Sequence, residues 1–492
     1  MKKIIYTASF VLLLALAGCS DWLNVQPLGQ TEEEQMFKEE SGFLRTLTGT
    51  YKLLGDKNAY GQQLTIGFPE YVAHNWLPSG PFYEFKYDDA AAENQLYNTW
   101  MQLYKAIANT NLVLKNLEGR SPSEFDNYDL IKGEALGLRA YIHLDLLRLF
   151  GPVLKGGGVN SKSIPYHEKF SNQTVPLMTA QEVLGKIKTD LEEAYGLLQN
   201  DPVKTWGRRT VATSVGGQSN NEDLAFDFRG TRMNYYAVCG ALARCHMLLE
   251  EPANALKYAM EVIEAKNPTK AEEGLFRFVD LIDITGGDQI FEPELVWSLY
   301  DPNTREKLSE FLLWNPDYTG DSRDREWVYD TREVSYGGVA DYRNVYWWTW
   351  TSTTPSRLYI SKYQRKMAYS SSGATDETKW EKVVPMIRLS EMYLIAAEAN
   401  LGTNNPEAFR LLNEVRVARN ILALEDTYEN DRDGLMRFIV YENQKETWGE
   451  GKLFFLYKRL FHDIVTVDGT TPANNRIFEL PVPKDEMELG GN

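Results

Sequence analysis

Two well-separated segments of this chain repeat one pattern: a helix, a short loop and a second helix. They run over residues 241–268 and 394–420, and each has two alanines twelve positions apart, one in each helix. These alanines are Ala243 and Ala255 in the first segment and Ala396 and Ala408 in the second. Small side chains at such positions let two helices cross closely. Helical hairpins of this kind stack on one another, so the pattern predicts a mostly α fold.

Two further segments have the periodicity of amphipathic helices. Residues 129–150 place apolar side chains on one stripe and stop at a Gly-Pro pair, which ends a helix. Residues 179–198 begin with Thr179 and carry Glu182 three positions later, the spacing of a capping box. With the two hairpins, these helices make the chain similar to a tetratricopeptide (TPR) array, a right-handed stack of helical hairpins.

The stretches between the helices have another character. They are rich in Gly, Pro, Asn, Asp, Ser and aromatic residues, and they show little helical period. They cover residues 56–90, 156–175, 200–232, 266–292 and 301–385. Strand patterns in them are short, as at residues 345–350. We therefore expect a TPR-like helical-hairpin scaffold that carries a loop-rich lobe with a few short strands, since long irregular segments in a compact protein commonly serve function.

The N-terminus predicts an exported and lipid-anchored protein. Residues 1–18 have a positive start and an apolar stretch shorter than the roughly 20 residues of a spanning helix, which is typical of a signal peptide. The sequence Leu-Ala-Gly-Cys that ends at Cys19 resembles the lipobox of bacterial lipoproteins, in which the cysteine is acylated, for example with palmitate. The alternative is an ordinary signal peptide that happens to precede a cysteine. Ser20 and Asp21 are similar to the short signals that send some Bacteroidetes lipoproteins to the cell surface.

Charge and cysteine content exclude several classes of protein. The chain has 52 basic and 69 acidic residues, a formal net charge of −17, which argues against a nucleic-acid partner. The same excess argues against docking on anionic lipid through a basic patch. Three cysteines exclude a disulfide framework. Cys239 and Cys245 lie six positions apart on a predicted helix and face different ways, so we interpret them as buried, inert thiols.

No catalytic or metal-binding pattern stands out in the sequence. The five histidines form no pair at helical ligand spacing, and His143 is interpreted as a packing residue. Residues 429–434 mimic the start of an EF-hand, but Val440 occupies the position of the bidentate ligand, so a surface turn is expected instead. We predict neither cofactor nor metal and no enzymatic activity. The polar residues of the helices are expected to pair within the scaffold; they are Glu134, Arg139, Arg388, Glu391, Glu398 and Arg416.

The remaining sequence feature that indicates ligand binding is the clustering of aromatic residues. Rings concentrate in three stretches of low periodicity, at residues 76–87, 314–329 and 346–350. A flat ring can cover the apolar C–H face of a sugar while neighbouring polar side chains bond its hydroxyl groups. Many of these rings are also expected in the core, and the alternation in residues 346–350 suits a strand with one buried face. The candidate ligand-binding residues are His74, Asn75, Trp76, Tyr83, Trp314, Asp317, Tyr318, Trp327 and Trp348.

Several ordered motifs resemble one family over nearly the entire chain. A "W-x-x-x-Y-x-x-I-x-x-x-N" helix matches through Trp100, Tyr104, Ile107 and Asn111, and a "GEA-x-x-LRA" helix matches from Gly133 to Ala140. The C-terminal half matches through Arg388, Glu391, Ala397, Glu398, Asn413, Arg416, Glu442, Glu446, Glu450, Gly451 and Arg459. The family is RagB/SusD, the surface lipoproteins of Bacteroidetes. Leu456, where the family often has Asp, and Asn443-Gln444, which replaces a basic pair, depart from its pattern.

This resemblance implies a function and a partner. It implies a non-enzymatic lipoprotein of the outer membrane, facing outward, that captures nutrient oligosaccharides and delivers them to a SusC-like TonB-dependent transporter. Two alternatives remain open: capture of peptides, as some relatives do, and a TPR-like adaptor without a small ligand. The expected domains are a signal peptide at 1–18, a SusD-like N-terminal part at 19–265 and a RagB/SusD C-terminal part at 266–492, which holds the aromatic lobe at 301–385.

Overall fold

The structure, a computed structural model, describes residues 28–208, 228–310, 312, 321–332, 334–350, 356–363, 369–370, 373–374 and 382–490. The chain divides into two compact units, Met1–Arg45 and Thr46–Asn492. The predicted signal peptide and Cys19 lie outside the described residues.

In the first unit, helix α1 (Leu28–Met36) is followed by the start of α2 (Glu40–Leu54). The buried rings of Phe37 and Phe43 meet edge to face, with their centroids 4.9 Å apart. A Cβ atom on Gly42 would lie 1.7 Å from the carbonyl oxygen of Met36, so this close turn requires glycine.

Helices dominate the second unit, and the predicted mostly α fold is confirmed. In chain order they are α3 (Phe68–Val72), α4 (Gly80–Tyr83), α5 (Ala90–Leu117), α6 (Tyr128–Phe150), α7 (Ala180–Leu197), α8 (Val203–Trp206), α9 (Tyr235–Leu248), α10 (Pro252–Ile263), α11 (Leu281–Thr285), α12 (Ser322–Glu326), α13 (Tyr342–Tyr346), α14 (Leu389–Asn400), α15 (Asn405–Ala418), α16 (Arg432–Thr447), α17 (Leu453–Leu460), α18 (Asn475–Phe478) and α19 (Lys484–Gly490).

The strands of the described residues are short and pair in twos. They are β1 (Lys266–Asn267), β2 (Lys270–Gly274), β3 (Leu295–Tyr300), β4 (Trp348–Trp350), β5 (Leu358–Ile360), β6 (Tyr369–Ser370), β7 (Gly373–Ala374), β8 (Val383–Arg388), β9 (Ile464–Thr466) and β10 (Gly469–Thr471). Four pairs join neighbours in sequence, and β3 pairs with β8. All five pairs are antiparallel. The β3–β8 pair brings together the two ends of the predicted lobe, residues 301–385.

The two predicted amphipathic helices are α6 and α7, which pack against each other. The capping box of α7 is confirmed: the Glu182 backbone N–H donates to Thr179 Oγ1 at 3.2 Å, and the Thr179 N–H donates to Glu182 Oε2 at 2.8 Å. Helix α6 differs from the predicted single stripe, because it is buried on nearly every side. Helices α5, α7, α9 and α17 all contact it. Its polar side chains therefore need partners within the protein.

The two predicted hairpins are the pairs α9–α10 and α14–α15, and helix α10 of the first packs against α14 of the second. Ala243, Ala255, Ala396 and Ala408 are fully buried at these crossings. The structure therefore confirms the TPR-like scaffold, and it shows that the two hairpins are neighbours in space. Both Cys239 and Cys245 are buried, as predicted, and burial raises the pKa of each thiol.

The expected pairing of the polar residues on the helices is also confirmed. Arg139 pairs with Asp190, Glu134 with Arg229, Glu391 with Arg244, Glu398 with Arg459, Arg388 with Glu446, and Arg416 with Glu442. His143 is a packing residue, since its ring stacks on Tyr166 with centroids 3.9 Å apart and its Nδ1 lies 2.8 Å from the Arg139 carbonyl oxygen. The segment that mimics an EF-hand is a turn, in which Asp431 caps α16 by accepting from the Gly434 N–H.

Candidate ligand-binding site

Three aromatic side chains stack in the segment between α3 and α5. The ring of His74 lies on that of Tyr83, with centroids 3.8 Å apart and planes within 11°, and on that of Phe85 at 5.2 Å and 13°. His74 and Phe85 both have φ of 57°, in the left-handed region that residues with side chains rarely adopt. Burial lowers the pKa of His74 to about 4, so this ring is neutral at pH 7. Tyr83 and Phe85 are half-buried and present part of each ring to solvent.

Charged residues from two other parts of the chain approach Tyr83. Burial raises the pKa of the Tyr83 hydroxyl, and the carboxylates of Asp324, Asp468 and Asp321 raise it further. Asp321 and Asp324 belong to the α12 region, and Asp468 to the turn between β9 and β10. The fold therefore brings three segments that are far apart in sequence to one place.

An arginine joins these carboxylates. Arg323 donates to both oxygens of Asp468, at 2.7 and 2.9 Å, and to Asp321 Oδ2 at 2.8 Å. The side chains of Arg323 and Asp468 are 57% and 59% exposed. Exposed ion pairs contribute little to stability, so these groups can exchange their bonds for bonds to a ligand at small cost.

Trp327 follows α12 and is half-buried. The guanidinium of Arg332 lies 4.4 Å from the Trp327 ring and 4.0 Å from the Tyr441 ring, so it holds both rings by cation–π contact. Tyr457 lies near both groups: burial raises the pKa of its hydroxyl, Arg332 lowers that pKa and Asp324 raises it. We call Tyr83, Phe85, Arg323, Trp327 and Asp468 the aromatic rim.

Other candidate residues lie in the core. Trp76 is 1% exposed and donates its indole N–H to the Ile66 carbonyl oxygen at 2.8 Å. Asn75 is 2% exposed and donates to Glu70 Oε2 at 2.8 Å. Trp348 is 8% exposed, with its ring edge to face on Trp448 at 4.8 Å. These side chains are placed to support the fold. Trp314, Asp317 and Tyr318 lie outside the described residues.

Two family models match the chain. One is described as starch-binding and associating with the outer membrane, and it matches residues 21–215. The other is that of the SusD family, and it matches residues 298–479.

This chain belongs to the SusD/RagB family.

Individual relatives match most or all of the length of this SusD/RagB chain. SusD-like protein P2 of Formosa agariphila is 24% identical, over 100% of this chain and 98% of its own. The solved structure of a SusD-like carbohydrate binding protein from Bacteroides vulgatus superposes with a TM-score of 0.68 at 18% identity, over 92% of this chain and 96% of that one. A SusD superfamily protein from Bacteroides thetaiotaomicron gives a TM-score of 0.67 at 20% identity, over 92% and 98%. These structures show that the fold is shared.

Membership of the SusD/RagB family gives the class of function. Proteins of this family are carbohydrate-binding rather than enzymatic, and they associate with the outer membrane. Within the described residues, none of the helices combines the length and apolarity needed to span a bilayer. No group of three or more His, Cys, Asp or Glu residues is placed to hold a metal ion in that same part of the chain.

Three residues of this SusD/RagB chain that are at least partly exposed were not among the candidates named from the sequence. Phe85 and Arg323 belong to the aromatic rim, and Trp350, at the end of β4, is 54% exposed. Trp348 and Trp350 share one face of the strand by alternation, but only Trp348 lies over the core. In the sequence, the position of Trp350 at the end of the strand pattern 345–350 was the feature that indicated its exposure. Arg323 had no such signal, because its partner Asp468 lies 145 positions away.

Proposed function

We propose that this SusD/RagB protein captures oligosaccharides at the aromatic rim and passes them to a SusC-like TonB-dependent transporter of the outer membrane. The observation that carries the proposal is the stack of Tyr83, His74 and Phe85 beside the exposed pair of Arg323 and Asp468. The rings offer a flat apolar surface for sugar C–H groups. The guanidinium and the carboxylate offer a donor and an acceptor for the hydroxyl groups around them.

The expected affinity suits capture followed by release. Each ring that stacks on a sugar contributes about 1 kcal/mol beyond its burial. Two or three such contacts support a Kd of roughly millimolar to micromolar. A receptor in this range loads when nutrient is abundant and releases its ligand to a transporter without a further energy source.

The proposal includes a lipid anchor at Cys19. Acyl chains contribute about 0.8 kcal/mol for each buried CH₂ group, so two or three chains hold a protein on a membrane permanently. Expression of the full-length chain with labelled palmitate should label the wild-type protein and leave the Cys19→Ser variant unlabelled. An unlabelled wild-type protein that is released into the medium would contradict this anchor.

Binding to a panel of purified oligosaccharides, measured by calorimetry, tests the central claim. Tyr83→Ala should weaken binding of the best glycan about fivefold, which corresponds to roughly 1 kcal/mol for one platform. Arg323→Ala should weaken it by a similar factor. Trp206→Ala is the matched control, because Trp206 is an aromatic residue on α8 that is 52% exposed and belongs to no part of the rim.

Three outcomes would contradict the proposal. Binding of peptides from a protein digest, with no binding of any glycan, would favour peptide capture. Release of reducing sugar ends by the purified protein would show an enzyme. Retention of full glycan affinity by both rim variants would place the site elsewhere. Co-purification of a TonB-dependent transporter with the full-length protein from the native membrane tests the proposed delivery step.

A further inference from the structure

A cleft opens between helices α6, α9, α14, α16 and α17, and no residue of the aromatic rim lines it. Apolar side chains form much of its wall: Met247, Leu248, Leu394, Ile395, Leu453, Phe455 and Leu456. A second cleft shares Arg148, Leu248, Phe455 and Arg459 with it, so the space is elongated. The wall suits an apolar body.

Four cations and two carboxylates also line the cleft. Two of these cations are each neutralised by a carboxylate of their own. Arg244 donates to both oxygens of Glu391, and Arg459 donates to both oxygens of Glu398 at 2.7 and 2.6 Å. Bidentate pairs of this kind are strong and leave little positive charge for a ligand.

The carboxylates that neutralise the other two cations, Arg148 and Lys452, also bond to other residues. Within the described residues, the Arg148 guanidinium donates one hydrogen bond, from Nη1 to Asp145 Oδ1 at 2.8 Å, and it lies 3.8 Å from the Phe455 ring centroid. Asp145 Oδ2 also accepts a hydrogen bond from the Tyr60 hydroxyl at 2.7 Å. Lys452 lies 2.7 Å from Glu450. That carboxylate is used by two more buried cations as well, Lys362 and Arg388.

Neighbouring carboxylates therefore neutralise the positive charges of Arg148 and Lys452 only in part. Burial lowers the pKa of each of them in spite of the neighbouring carboxylates. Both contribute to holding down the pKa of Glu391: burial raises that pKa, and Arg244, Lys452 and Arg148 together lower it. Both cations thus lie near one wall of the cleft. Of the three positions that depart from the family pattern, Asn443 and Leu456 also line the cleft.

We propose that this cleft binds an amphiphilic monocarboxylate, with the carboxylate between Arg148 and Lys452 and the apolar body along the leucine-rich wall. The planar guanidinium of Arg148 has N–H groups left to bond a carboxylate, and Lys452 adds a point charge. Glu391 at the same wall disfavours a dianion by like-charge repulsion. The apolar lining disfavours a free sugar, which separates this site from the aromatic rim.

Calorimetric titration of the full chain with 3-phenylpropanoate at pH 7 tests the proposal, and 3-phenylpropanamide is the neutral counterpart. Hydrogen bonds to charged groups exceed neutral ones by enough to make the amide bind at least about tenfold more weakly. Leu456→Asp places a competing carboxylate in the cleft and should weaken 3-phenylpropanoate binding about tenfold. Leu456→Asn has nearly the same shape without the charge and should bind within about threefold of wild type.

A second variant does not depend on charge. Ile395→Trp fills the cleft from a half-buried position and should remove binding of 3-phenylpropanoate while circular dichroism stays unchanged. Trp206→Ala should bind the probe as wild type does. The absence of binding by the wild-type protein, equal binding of acid and amide, or equal binding by the Leu456→Asp and Leu456→Asn variants would overturn the proposal.

Discussion

Arg343 donates a hydrogen bond of 2.8 Å to Glu446, although the two residues lie 103 positions apart in the chain. Arg343 belongs to α13, in the loop-rich lobe, and Glu446 belongs to α16, in the scaffold. Glu446 also accepts from Arg388 and Arg419, each at 2.6 Å. All four side chains are at most 2% exposed. One carboxylate thus joins the lobe, the end of β8 and the loop after α15.

Replacement of that carboxylate should destabilise the whole fold. Glu446→Gln removes one negative charge from among three buried guanidinium groups, and breaking a buried pair in this way costs about 3–5 kcal/mol. Urea unfolding at pH 7 measures the loss. Glu414→Gln is the matched control, because Glu414 pairs with Arg410 on the surface of α15 and its loss should change stability by less than about 1 kcal/mol. Equal effects of the two substitutions would show that the buried pairing is not the cause.

Glu70 should make stability depend on pH in a particular direction. Burial raises its pKa to about 7, against hydrogen bonds from Asn75, Gly449 and Gly451. The folded protein therefore binds a proton more tightly than the unfolded chain, and the contribution of Glu70 to stability falls as pH rises from about 4.5 to 7. Glu70→Gln does not titrate. The difference in unfolding free energy between wild type and this variant should therefore change with pH over that window, by at most about 1.4 kcal/mol per pH unit. A difference that stays constant from pH 5 to 8 would contradict the shifted pKa.

Gly451 should tolerate no side chain. Its φ is +67°, and a Cβ atom would lie 2.0 Å from the Leu64 carbonyl oxygen. Gly451→Ala should lower the free energy of unfolding by at least about 2 kcal/mol through strain and steric clash. Gly185 in α7 has open space around its Cβ position, so Gly185→Ala should raise stability by about 0.5–1 kcal/mol through helix propensity. Chemical denaturation compares the free energies of unfolding of the two variants. Loss of stability in both would refute the claim that the space around each Cβ position decides the effect.

His74 should stay neutral down to unusually low pH. Burial against Tyr83 and Phe85 lowers its pKa to about 4, whereas the unfolded chain protonates near pH 6.5. Its contribution to stability is therefore present above pH 6.5 and is lost as pH falls towards 4. The Cε1–H resonance of His74, assigned by comparison with His74→Gln, should show a midpoint near pH 4. A midpoint near 6.5 would mean that the ring is open to water and that the stack does not form.

Most of the scaffold could be predicted because its signals are local. The capping box at Thr179 and Glu182 depends on residues within one turn of each other, and the alanine pairs of the hairpins depend on residues twelve positions apart in consecutive helices. The pairing of Arg139, Glu391 and Arg416 followed from a general rule, that buried charges need partners. The rule did not predict which partner each residue takes. Glu446, for example, pairs with three arginines from segments that no sequence periodicity connects.

The candidate site was predicted only in outline. The sequence pointed to aromatic stretches at residues 76–87, 314–329 and 346–350, but it could not distinguish Trp76 in the core from Trp350 at the surface. Chemically the two are the same indole.

By itself, the sequence determined the helical scaffold, because helix periodicity and capping depend on residues that are close together in the chain. It also predicts an N-terminal lipobox that ends at Cys19. Only the tertiary structure decided which rings face solvent, that Arg323 meets Asp468 beside Tyr83, and that a charged cleft opens next to Arg148. The physical reason is that exposure and long-range pairing depend on which surfaces pack together. In this protein the packing joins segments more than a hundred residues apart.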